Sequence, residues 1–134
     1  MKSELKKIIE QSSFEIQGGV YIYAQVSSKP TSDHFMVTQD KDEITVITTE
    51  DKLGELDLIE KNKDNYKLIA LNVSVPFYSV GFLATVSSAI AKEEMNILII
   101  STYSKDYIMV KEDKLDKARE VLLDLGFKEA WTDG

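Results

Sequence analysis

The apolar positions change period twice in the second half of the chain, and each period predicts an element. Ile69, Leu71, Val73 and Val75 alternate with Ala70, Asn72 and Ser74, which sets one apolar and one small or polar face on a pleated strand. Pro76 ends that pattern. Past Gly81 the period lengthens: Phe82, Leu83, Val86, Ala89 and Ile90 share one side of a 3.6-residue spiral, with Thr85, Ser88 and Lys92 on the other, so an amphipathic helix is expected to lie on the sheet. Two apolar strands joined at Ser104-Lys105 follow. A second helix is expected from Asp113 to Leu125, with Leu115, Ala118, Leu122 and Leu125 on one face, acidic Glu112 and Asp113 at its positive end and Gly126 to stop it. Phe127 to Trp131 reads as a last strand.

From Tyr66 onward the order is therefore strand, helix, strand, strand, helix, strand, the βαββαβ order of a ferredoxin-like α+β fold. The first half is less regular. Leu5, Ile8 and Ile9 at i, i+3 and i+4 predict a short helix within Lys2 to Gln11, capped by Ser3. Phe14 to Val26 gives two apolar runs parted by Gly18-Gly19, a dipeptide suited to a tight hairpin or a bulge. Ser27 to Asp33 is a loop. Phe35 to Gln39 and Glu43 to Thr49 read as an antiparallel pair around Asp40-Lys41-Asp42. Glu50 to Lys52 could start a helical turn, but Gly54 follows too soon for a stable helix. Leu56, Leu58 and Ile59 read as a strand or extended edge, and the polar link Lys61 to Asn65 is the natural boundary between residues 1–61 and 66–134.

The stretch from Pro76 to Leu122 resembles the second half of the small bacterial tandem ACT-domain proteins, which also resemble the regulatory tails of aspartate kinases and the cytosolic arginine sensors. In that family a turn with a glycine opens the first helix and an Ile-Ser-Thr tripeptide ends the next strand. Here Gly81 and Ile100-Ser101-Thr102 occupy those places, followed by Asp106-Tyr107-Ile108-Met109-Val110 where the family has an Asp-Tyr and a hydrophobic strand. The resemblance implies two ACT-like halves in tandem, the first degenerate. It also implies a non-catalytic regulatory protein that binds a small molecule, a free amino acid by preference, at an interface between ACT modules, and that pairs with another copy.

Composition narrows the choices. The chain has 134 residues, 23 acidic against 16 basic, for a net charge of −7, so a nucleic acid would be repelled on average. No cysteine is present, which removes disulfides, thiolate catalysis and Cys-based zinc sites. No apolar run approaches the roughly 20 residues needed to cross a bilayer, and Met1 to Gln11 does not read as a signal peptide. A cytoplasmic protein without cofactor or metal is the expectation.

The candidate ligand site is Tyr78, Ser79, Val80, Gly81, Phe82 and Leu83 at the entry to the first helix of the second half. A helix start has unpaired N–H groups and partial positive charge, both suited to a carboxylate. The resemblance sets Ile100, Ser101 and Thr102 opposite, with Asp106 to receive an ammonium or guanidinium group. The plainer reading is that Gly81 permits close packing, Ser101 and Thr102 end a strand, and Asp106 begins one. Phe77, Tyr78 and Tyr103 could fill the pocket or anchor a partner, although such aromatics more often close the end of a core. His34, the only histidine, reads as a solvated loop residue rather than a general base, because no nucleophile motif accompanies it. The acidic runs Asp40 to Glu43 and Glu50-Asp51 lack calcium-loop spacing and read as solvated turns. The mixed charge of Lys114, Asp116, Lys117, Arg119 and Glu120 reads as a solvated helix face.

The alternative to a sensor is an ACT-fold interaction module without a ligand. An enzyme is disfavoured: P-loop, nucleophile elbow and metal motif are all absent.

Overall fold

Local periodicity and long-range pairing together produce the following order. The computed structural model describes residues 3–73 and 80–131. Its elements are α1 (Ser3–Glu10), β1 (Ser13–Ile16), β2 (Tyr21–Val26), β3 (Met36–Gln39), β4 (Ile44–Thr49), β5 (Leu58–Lys61), β6 (Tyr66–Asn72), α2 (Phe82–Lys92), β7 (Leu98–Ser101), β8 (Asp106–Lys111), α3 (Leu115–Leu125) and β9 (Lys128–Ala130). They fall into two compact units, one made of Met1–Gly18 with Lys67–Gly134 and the other of Gly19–Tyr66. The sequence boundary at Lys61 to Asn65 lies close to one of these junctions. The other junction, at Gly18-Gly19, groups α1 and β1 with the C-terminal segment rather than with residues 1–61.

The first unit follows β6-α2-β7-β8-α3-β9, the ferredoxin-like order, with one insertion. Strand β1 pairs antiparallel with β6, Phe14 opposite Leu71, and parallel with β9, Phe14 opposite Glu129. The strand order is thus β7-β8-β6-β1-β9. The hairpin suggested for Gly18-Gly19 does not form between β1 and β2: β1 takes β6 and β9 as partners, while β2 pairs along its length with β4 and β5. The glycines carry the chain between units instead.

The core of this unit is one apolar cluster. From α1 come Leu5 and Ile9, from the strands Phe14, Ile69, Leu71, Ile108 and Val110, and from α2 and α3 Phe82, Val86, Ile90, Ala118 and Leu122. The faces expected of the two long helices are the ones buried. Full burial of each Leu, Ile, Val or Phe side chain stabilises the fold by about 1.5–3 kcal/mol. Phe82 and Phe127 meet edge to face, with ring centroids 5.9 Å apart at 72°. Helix α3 ends at Gly126, whose φ of 116° suits a residue without Cβ. Across β9, Arg119 Nε donates to Glu129 Oε1 at 2.5 Å. The chain's single arginine therefore ties α3 to the last strand, and the Glu129 side chain is only 7% exposed.

The second unit is an antiparallel sheet in the order β3-β4-β2-β5. Ile22, Ala24 and Val26 are buried on β2, as their alternation requires, and so are Val46 and Ile47 on β4. Glu50–Glu55 forms a 3₁₀ helix, the helical turn that Glu50 to Lys52 could start; a short i→i+3 segment tolerates a glycine that would weaken a longer α-helix. Tyr21 and Phe35 pack edge to face at 6.2 Å.

Candidate functional site

The α2 entry is set by backbone geometry. Gly81 occupies the N-cap at φ 84°, ψ 0°, and its carbonyl accepts the Thr85 N–H at 2.9 Å. The amides of Phe82, Leu83 and Ala84 precede that first helical bond and have no partner within the helix. The Phe82 side chain is buried and Leu83 packs against the same core, so these two residues can offer a ligand only their backbone. Val80, in contrast, is 92% exposed. Tyr78 and Ser79, with Phe77 and the expected strand end at Val75-Pro76, lie outside the described residues.

The residues expected to face this entry lie at the β7–β8 turn. Ser101 pairs with Asp106 in the ladder, and its hydroxyl donates to Asp106 Oδ1 at 2.6 Å. Thr102 closes the turn by donating its N–H at 2.8 Å and its hydroxyl at 3.2 Å to the Lys105 carbonyl. Ile100 faces inward at 7% exposure. Asp106 is half-buried, with one carboxylate oxygen fixed by Ser101. Tyr103 closes no core end: it stands at the tip of the turn, 95% exposed.

Topology relates the two walls. A strand-helix-strand crossover returns the chain to a parallel strand, so the end of β7 and the start of α2 share one end of the sheet. Strand β8 lies between β6 and β7. Asp106, its first residue, therefore lies on the strand next to the one that leads to α2.

Other candidates resolve differently. His34 is not a freely solvated loop residue: it is half-buried, with Nδ1 2.9 Å from Thr48 Oγ1 and Nε2 2.8 Å from Ser32 Oγ. Thr48 is 1% exposed, so the imidazole ties the 27–35 loop to β4. Asp40 Oδ1 accepts the N–H groups of Asp42 at 2.8 Å and Glu43 at 3.0 Å, which occupies the acidic turn with its own backbone. Among the described residues no group of three or more His, Asp or Glu is placed to hold a metal ion, and no helix is long and apolar enough to cross a membrane.

Two surface clefts are formed by other residues. One, of about 250 Å³, lies over β2 and includes Tyr23, Gln25, Thr45 and Glu60. The other, of about 310 Å³, runs between α2 and α3 and includes Lys92, Lys117, Glu120, Val121 and Asp124. Lys117 and Glu120 read from sequence as solvated charge; the Lys117, Val121, Asp124 spacing was the signal that they share a face.

The model of the ACT domain family matches residues 62–124. This segment is an ACT domain. It runs from just before β6 to the last turn of α3, and contains both walls described above. Solved structures share the fold over most of the chain. A Vibrio cholerae protein of unknown function superposes with a TM-score of 0.75 at 20% identity, covering 92% of this chain and 96% of that one. An Agobacterium tumefaciens protein gives a TM-score of 0.70 at 19% identity, covering 92% and 95%. The ligand-free regulatory subunit of aspartate kinase from Thermus thermophilus gives 0.58 at 10% identity, covering 84% and 95%. At these identities the likeness is one of fold. No curated protein matches the sequence at a significant level. ACT domains are regulatory modules.

Proposed function

We propose that this chain is a non-catalytic sensor. It binds a free amino acid where α2 begins and the β7–β8 turn closes, at an interface between ACT modules, and reports occupancy to a partner protein. One observation carries the reading: a half-buried carboxylate, Asp106, oriented by the Ser101 hydroxyl on the strand next to the one that leads to α2, whose first amides have no partner within the helix. An α-amino acid bears one group of each sign on a single carbon, so its carboxylate suits the amides and its ammonium suits Asp106. Val80, Gly81, Ser101 and Thr102 would frame it, with the backbone of Phe82, Leu83 and Ile100 behind. Tyr78 and Ser79 complete the proposed set from sequence.

Signalling would be linkage. A ligand that prefers one packing of the modules shifts its population by the difference in affinity. The test is a thermal-shift screen of the common amino acids. A specific ligand at about 100 times its Kd adds about 2.7 kcal/mol of stability, a rise of several degrees, whereas no stabilisation by any of them at millimolar concentration would discard the sensor.

A second reading is an ACT-fold interaction module with no small ligand. Val80 and Tyr103, exposed at 92% and 95% at that same sheet end, favour it, because a partner chain would cover both. Loss of a partner on Tyr103→Ser substitution, with no amino-acid effect, would decide for this reading.

A further inference from the structure

A nucleophile and a base meet in the second unit, in the loop that leads to β3. Ser32 Oγ lies 2.8 Å from His34 Nε2, and Thr48 Oγ1 lies 2.9 Å from His34 Nδ1. A hydroxyl, an imidazole within hydrogen-bond reach of it and a third polar group that orients the ring are the parts of an activated serine. No local motif joins them, since Thr48 follows His34 by 14 residues.

The arrangement is held from three elements. Thr48 stands on β4 and is 1% exposed, so the group that fixes Nδ1 cannot swing into water. Lys52 Nζ, from the 3₁₀ helix, donates to the Asp33 carbonyl between the two residues at 2.9 Å. Phe35 packs edge to face on Tyr21 of β2. The sheet therefore orients the imidazole, as a preorganised base requires. Ser32 and His34 are half-buried, which leaves the hydroxyl open to a small reagent. In the tautomer that donates Nδ1–H to Thr48, Nε2 turns its lone pair to the Ser32 hydroxyl. The neighbouring serines lack such a base: Ser28 donates to the Asp57 carboxylate and Ser27 to the Asp57 carbonyl, both weaker bases than an imidazole.

We propose that Ser32 is a covalent acyl-acceptor site, with His34 as its general base and Thr48 as the positioning residue. The donor is an uncharged activated ester, because the net charge of −7 disfavours an anionic one. Ser32 Oγ attacks the ester carbonyl carbon while its proton passes to Nε2. The bond from that carbon to the leaving oxygen breaks, and His34 gives the proton to the leaving alcohol. The chain keeps one acyl group as an ester on Ser32, a modification that stands independently of the amino-acid site.

Reaction of the full chain with p-nitrophenyl acetate tests it. Nitrophenol release should show a burst of about one equivalent per chain, and peptide mass spectrometry after acid quenching should place the acetyl group on Ser32 in preference to Ser27 and Ser28. Ser32→Ala should abolish the burst, and His34→Gln should slow it about 100-fold or more. Thr48→Val should slow it about tenfold or more through misplacement of the ring, whereas Thr48→Ser, which keeps the hydroxyl, should match the parent. Circular dichroism with melting verifies that each variant is folded. Acetylation confined to lysines or the N-terminus, a burst unchanged in Ser32→Ala, or a His34→Gln variant as fast as the parent would each overturn the proposal.

Discussion

Replacing Gly81 by alanine isolates one physical term at the entry to α2. Its φ of 84° is a left-handed value, and a Cβ built there meets nothing closer than Leu5 Cδ2 at 3.9 Å, an ordinary van der Waals distance. Steric crowding therefore contributes little, and the whole cost is the backbone penalty of placing an L-residue in that region, about 1–2 kcal/mol. Part of this is offset because alanine restricts the unfolded chain more than glycine does, by about 0.4–1 kcal/mol. The expected net loss is about 1 kcal/mol, which for a domain of this size lowers Tm by roughly 4 °C. Urea unfolding gives the free energy directly, and Gly81→Asn serves as the control because asparagine tolerates the left-handed region better. Asparagine should lie between glycine and alanine. An alanine variant as stable as the parent, or an asparagine variant worse than alanine, would refute the reasoning.

Other expectations follow from single contacts. Arg119→Met leaves the Glu129 carboxylate without its counter-charge, at a cost of about 1–3 kcal/mol, and adding Glu129→Gln should recover part of it in a double-mutant cycle by urea unfolding. His34→Ala strands the buried Thr48 hydroxyl and should cost about 1–3 kcal/mol, with Thr48→Val in the same background restoring stability. Phe82→Ala empties the core beneath the proposed site and should cost about 3–5 kcal/mol by the same assay. Asp106→Asn keeps an oxygen to accept the Ser101 hydroxyl and should cost no more than about 1 kcal/mol yet abolish any amino-acid-dependent rise in Tm.

Elements whose partners follow from local periodicity were legible in the sequence. The buried face of α2 and the α3 stop at Gly126 appear where the spacing sets them, and so does the β6 strand, although it buries Leu68 and Ala70 as fully as Ile69 and Leu71. The partner of β1 was not legible, because nothing local to Ser13–Ile16 says that it inserts between β6 and β9; that choice belongs to the assembled sheet. His34 looked solvated because its two hydroxyl partners, Ser32 and Thr48, come from a loop and a distant strand. The α2–α3 cleft was hidden for the same reason: each rim charge is ordinary on its own helix, and only packing brings both helices to one groove. Of the proposed ligand site, the glycine and the Ser101-Asp106 corner could be named from sequence, while the turn of the Phe82 and Ile100 side chains into the core required coordinates.

The location of the amino-acid site is tested most directly by amide NMR. The ¹⁵N–¹H spectrum would be recorded with and without saturating amounts of the amino acid that gives the largest thermal shift. The largest changes should fall on the amides of Phe82, Leu83, Ala84, Ser101 and Asp106, and should vanish in Asp106→Asn. Changes confined to Gly19–Tyr66, or the same pattern in the Asp106 variant, would contradict the account.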